Sequence, residues 1–101
     1  MASEEIAALG FFTIKAGREQ DCNELAKKLM ESTHTQDQGC IYYAFFKRKD
    51  NPNEFIIHER WKDLASTQAH LARLTNEYGS MAAIFDPFEG QPKFVGLQLI
   101  E

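Results

Sequence analysis

Apolar positions recur along the chain in two different periods. Residues 6–15 are apolar, β-branched or aromatic at both parities and stop at Ala16-Gly17, which predicts a strand. Between residues 18 and 35 the apolar positions are Cys22, Leu25, Ala26, Leu29 and Met30. That is the i, i+3, i+4, i+7, i+8 stripe of an amphipathic helix about five turns long. Cys22 sits in the stripe and reads as a small core residue rather than a reactive thiol. Gly39 restarts the chain as a second strand over residues 40–49, which ends at the turn Asp50-Asn51-Pro52-Asn53. Residues 54–62 form a third strand and a hairpin with the second. Asp63 is a good N-cap for a helix over residues 64–78, and Gly79 is its stop. Residues 80–90 read as a loop with room for one extra turn at 81–85, and residues 93–100 as the last strand.

The order β-α-β-β-α-β predicts an α+β, ferredoxin-like fold: an antiparallel four-stranded sheet with two helices on one face. The other face would then meet water and should be polar at alternate positions. It is not. On the first strand Ile6, Ala8, Phe12 and Ile14 oppose Ala7, Leu9 and Phe11, and on the last Phe94 and Ile100 oppose Val95, Leu97 and Leu99. No segment remains to cover a second apolar face, so a homodimer packed sheet against sheet is expected.

Composition narrows the field further. The chain has 101 residues, 44% of them hydrophobic and 26% charged, which suits a single folded domain over residues 1–101. A net charge of −4 argues against binding nucleic acid, and the basic cluster Lys47-Arg48-Lys49 reads as a solvated strand end. No apolar run approaches the ~20 residues needed to span a bilayer, and no basic, apolar leader opens the chain. No membrane association is expected, and a cytoplasmic location is the default. There Cys22 and Cys40 should stay reduced.

Three places carry candidate chemistry. On the third strand Glu59 shares a face with Phe55, Ile57 and Trp61. A carboxylate there must be hydrogen-bonded or paired, or sit in a cavity with a raised pKa. A structural cap or ion pair is the plainer explanation. His58 and Arg60 fall on the opposite face. On the second helix Leu64, Leu71, Leu74 and Tyr78 form the expected buried stripe, with His70 at its edge, where it is either a spacer or a group reaching a cavity. Of the adjacent Tyr42 and Tyr43 only one can face the helices, and the hairpin register decides which. His34, His58 and His70 have no metal-ligand spacing, and no Gly-rich phosphate loop, nucleophile elbow or CxxC is present, so neither metal nor nucleotide cofactor is expected.

Taken together, Gly39-Cys40-Ile41-Tyr42-Tyr43, the Asp50-Asn51-Pro52 turn, Glu59 two residues before Trp61, and His70 nine residues after it resemble the antibiotic biosynthesis monooxygenase domain family. The likeness is to its small stand-alone, quinol-monooxygenase-like branch. It implies a dimeric α+β barrel with a mostly apolar pocket in each subunit. It also implies oxidation of small aromatic or quinol-type molecules by molecular oxygen without flavin, haem or metal. On this sequence His70 and Glu59 would be catalytic, His70 as proton acceptor and Glu59 orienting a hydroxyl, while Trp61 and Tyr43 would bind substrate. Ile57 and Thr67 stand where relatives acting on aromatic polyketides carry Asn and Tyr. Gly10 and Ser80 stand where haem-degrading relatives carry Asn and His, so haem is not expected. Thr75 replaces a second His. A same-fold isomerase working on a small carbonyl compound through His70, or a non-catalytic binding dimer, remains the alternative.

Overall fold

A computed structural model describes residues 4–100. Four strands, β1 (Ile6–Ile14), β2 (Cys40–Lys47), β3 (Glu54–Trp61) and β4 (Phe88–Leu97), form one antiparallel sheet in the order β2-β3-β1-β4. Helices α1 (Glu19–Gln36) and α2 (Leu64–Tyr78) pack on one face, and a single turn, α3 (Met81–Ile84), follows α2. This is the expected ferredoxin-like α+β arrangement, with the extra turn where the loop had room for it.

The strand residues that alternate towards the helices close the core. Phe12, Ile14, Tyr43, Phe55, Ile57 and Trp61 meet Cys22, Ala26 and Leu29 of α1 and Leu74 of α2 in one buried cluster. Cys22 is fully buried and its thiol donates to the Pro87 carbonyl at 3.3 Å, so it packs as expected of a small core residue. Both cysteines are free thiols.

The strands end one to three residues short of the expected bounds, and two of them carry bulges. β4 begins at Phe88, not at residue 93, because Gly90, Gln91 and Pro92 bulge out opposite Phe12 while pairing resumes on either side. Pro is tolerated there because β4 is an edge strand, and Gly90 takes a positive φ of 67°. In β2, Cys40 pairs with Trp61 and Tyr42 with Arg60, which leaves Ile41 as an extra residue. That bulge sets the register. Tyr43 lies opposite Glu59 beneath the helices, and Tyr42 turns to the other face, where its ring meets His58 at 4.8 Å.

The open face of the sheet is apolar, as the parity argument required. Tyr42, Phe46, Val95 and Leu97 are exposed on it around the half-buried Leu9 and Phe11. The expected stripe of α2 needs correction. Leu64 and Leu71 are 58% and 43% exposed, while His70 and Leu74 point inward. The helix is rotated because His70 and Arg73 both reach an acid at the end of α1, and satisfied polar bonds there outweigh burial of two leucines.

Candidate active site

Asp63 starts α2 by accepting from the backbone N–H of Ser66 at 2.8 Å, and this fixes which residues of the helix face the sheet. One turn and three residues on, His70 projects into the core and is only 3% exposed. Its Nδ1 lies 2.6 Å from Oδ2 of Asp37, which caps the C-terminus of α1. Arg73, one turn beyond His70, grips the same carboxylate in fork fashion, with Nε at 2.8 Å from Oδ1 and Nη2 at 2.9 Å from Oδ2. Burial pushes the Asp37 carboxyl up, but the hydrogen bonds from Arg73 and His70 outweigh it and hold the group below the usual carboxylate range. An ionised carboxylate only accepts, so Nδ1 of His70 carries the hydrogen and Nε2 is the basic nitrogen.

Glu59 resolves the anomaly on β3. Its Oε1 accepts from the Trp61 indole N–H at 2.9 Å. Burial nonetheless pushes its carboxyl above the ordinary range, against the opposing effects of the Trp61 bond and the charge of His70. The Trp61 indole lies against the His70 ring, with centroids 4.5 Å apart. The edge of Tyr43 meets His70 at 5.2 Å and Trp61 at 6.2 Å. Burial drives the Tyr43 phenol far above its normal value, so it stays protonated, and it is tied to Thr33 by a hydrogen bond. The structure therefore brings His70, Glu59, Trp61 and Tyr43 into one cluster, although they come from three elements.

The cluster borders a cavity of about 40 Å³ between the sheet, α2 and α3. Tyr43, Glu59 and His70 are the polar residues lining it; Phe12, Phe45, Ile57, Leu74, Ile84 and Phe88 are among its apolar walls. Leu71, Met81, Phe85 and Phe94 lie where the cavity approaches solvent. Trp61 does not line the cavity. It sits one layer back, 1% exposed, supporting both Glu59 and His70. A larger groove of about 400 Å³ runs outside, past Asp37, Gly39 and Ser66, but it has no aromatic wall.

Hydrophobic periodicity singles out neither Asp37 nor Arg73. A histidine and an arginine at i and i+3 on the inward side of a helix require a buried acid nearby, and that spacing was the available signal. The other histidines are placed elsewhere: His34 bonds the Tyr43 carbonyl at 2.7 Å, and His58 lies on the open face. Among the described residues no three side chains of His, Cys, Asp or Glu converge as a metal site, and no helix is long and apolar enough to cross a membrane.

Comparison with known proteins adds to this geometry. The model of a family described as antibiotic biosynthesis monooxygenase matches residues 5–86. A Caulobacter crescentus protein provisionally described as such a monooxygenase superposes with a TM-score of 0.84 at 14% identity, over 98% of this chain and 92% of that one. A Deinococcus radiodurans protein of the same provisional description gives 0.79 at 22% identity, over 95% and 93%. A Bacteroides thetaiotaomicron protein of unknown function, described as a possible oxidoreductase, gives 0.79 at 23% identity, over 97% and 100%. These three likenesses speak for the fold. An uncharacterized Synechocystis protein is 25% identical over 69 residues, which are 68% of this chain but 46% of that relative's length.

Proposed function

We propose, from the premise that the chain belongs to the antibiotic biosynthesis monooxygenase family, that it oxidises a small aromatic or quinol-type substrate with molecular oxygen. The observation that carries this reading is the cavity itself, with aromatic and aliphatic walls and a carboxyl and an imidazole in its lining. Once widened, such a lining suits a flat uncharged ring whose hydroxyl meets Glu59 and His70. It offers no lysine or arginine to an anionic substrate.

His70 is the proton acceptor. The Asp37 carboxylate holds the hydrogen on Nδ1, so Nε2 can take the proton of the substrate hydroxyl, and Asp37, held in position by Arg73, offsets the charge of the imidazolium that results. Glu59, held by Trp61, orients the hydroxyl. Deprotonation turns the ring into an electron donor strong enough to reduce oxygen, so the reducing equivalents come from the substrate and no cofactor is needed. For an anthrone-like substrate, one oxygen atom becomes the new ring carbonyl and the other leaves as water with the two hydrogens of that ring carbon. The apolar walls exclude bulk water from the intermediate. In this reading a second copy of the chain covers the open sheet face.

The experiment is oxygen uptake by metal-free protein with a panel of quinols and anthrones, and His70→Ala as control. Protein-dependent uptake that disappears in the variant is expected. No uptake across the panel would sink this reading and favour a same-fold isomerase or a binding dimer.

A further inference from the structure

A cavity of about 40 Å³ is too small for the substrate just proposed, since holding even one benzene takes roughly 150 Å³. Something now occupying the ligand's place must move, and the surroundings of Gly10 identify it. A Cβ built on Gly10 would stand 2.5 Å from Cε1 and 2.9 Å from Cδ1 of Phe94, and 2.8 Å from Cγ2 of Ile57. The Phe94 ring therefore lies in the space that any side chain at position 10 would fill. It rests on bare backbone of β1, edge-on to Phe12 with centroids 5.9 Å apart. Gly10 pairs with Phe94 in the ladder and its φ is not positive, so the glycine serves close approach here rather than a turn.

The same ring is the least held of the large groups lining the cavity. Phe94 is 49% exposed, whereas Phe12, Ile57, Ile84 and Phe88 are all at or below 4%. It stands on β4, an edge strand with a neighbour on one side only, just past the bulge at Gly90, Gln91 and Pro92. A rotation of its side chain moves the ring into solvent without disturbing α2, which carries His70. We infer that Phe94 is a specificity-determining residue: its ring, seated on Gly10, plugs the cavity and must swing outward before a substrate ring can reach His70 and Glu59. The size of ring admitted is then set by how far Phe94 clears the space over Gly10. This inference rests on the aromatic-substrate reading of the same cavity.

Trp61 supplies the test. It is the single tryptophan, buried, and in contact with both His70 and Glu59. Duroquinone is a flat, uncharged, fully substituted ring that quenches indole emission, and its entry can be followed by stopped-flow quenching of Trp61. Association rates are expected in the order Phe94→Ala, Phe94→Leu, wild type, with the alanine variant about tenfold faster than wild type. Quenching in the variants alone supports the plug still more strongly. Equal rates in all three, within about twofold, overturn the plug and leave the aromatic site standing. No quenching in any of them overturns both. Phe94 is half exposed and outside the buried core cluster, so its removal leaves the fold intact.

Discussion

At the residue scale, the proposed mechanism turns on which nitrogen of one imidazole carries a hydrogen. Asp37→Asn keeps the shape but lets the amide donate, so His70 is free to adopt the tautomer with no lone pair towards the cavity. The expected result is a loss of turnover of about 10²- to 10⁴-fold with the affinity for duroquinone unchanged, measured by steady-state oxygen uptake and by Trp61 quenching. Glu59 makes a prediction about stability. Its folded carboxyl is raised above the unfolded value, so as the pH climbs from about 4.3 through that raised value the unfolded chain gives up its proton first, and stability falls. Glu59→Gln still accepts from Trp61 but does not titrate. Thermal unfolding should show the wild type losing stability between acid and neutral pH relative to the variant, and parallel curves would refute the burial argument. Asp37 works in the opposite sense: its depressed value stabilises the fold above about pH 3.9 and that contribution is lost as the pH falls through the folded value. Glu59 was legible in the sequence because an acid between Ile57 and Trp61 on a strand breaks a period-2 pattern. Asp37 was not, because it sits in a polar loop, 33 residues from His70 and 36 from Arg73.

At the element scale, the approach of the turn before β2 to α2 is the tightest constraint. A Cβ on Gly39 would stand 1.9 Å from Oγ and 2.2 Å from Cβ of Ser66, the residue whose N–H and hydroxyl both bond Asp63. Gly39→Ala must push the first turn of α2 off the sheet and loosen its cap, which should cost about 1–3 kcal/mol in chemical denaturation. An unchanged midpoint would show that the turn yields freely. The element order and both long helices followed from periodicity. The start of β4 did not, because Gly90 and Pro92 punctuate a sequence as a loop does, and only the partner strand shows that pairing continues past them. The choice between Tyr42 and Tyr43 also lay beyond the pattern, since the one-residue bulge at Ile41 has no signature of its own. The leucine stripe of α2 misled for a different reason. Hydrophobicity ranks Leu64 and Leu71 above His70, but it takes no account of the acid waiting across the interface.

At the scale of the whole molecule, the sheet has two apolar faces and one layer of helices. Exposed Tyr42, Phe46, Val95 and Leu97 make the open face a continuous greasy surface of the kind that soluble monomers avoid. Val95→Glu is expected to convert a dimer to a monomer in sedimentation, and a wild type that sediments as a monomer would refute the sheet-to-sheet assembly. Both faces were visible in the sequence, because alternation that fails at both parities is itself a pattern.

The pairing of Gly10 with Phe94 has a consequence for how this chain's relatives can diverge. The groups assigned to proton transfer and its support lie between residues 33 and 73, inside the stretch that matches the family, whereas the plug lies on β4, beyond residue 86. The proposed proton acceptor and the proposed plug are thus carried on separate parts of the polypeptide, although the plug's seat at Gly10 lies within the matched stretch. A lineage can exchange its last strand and inherit a new diet while its acid–base apparatus stands still, and grafting β4 between homologues should carry ring-size preference with it.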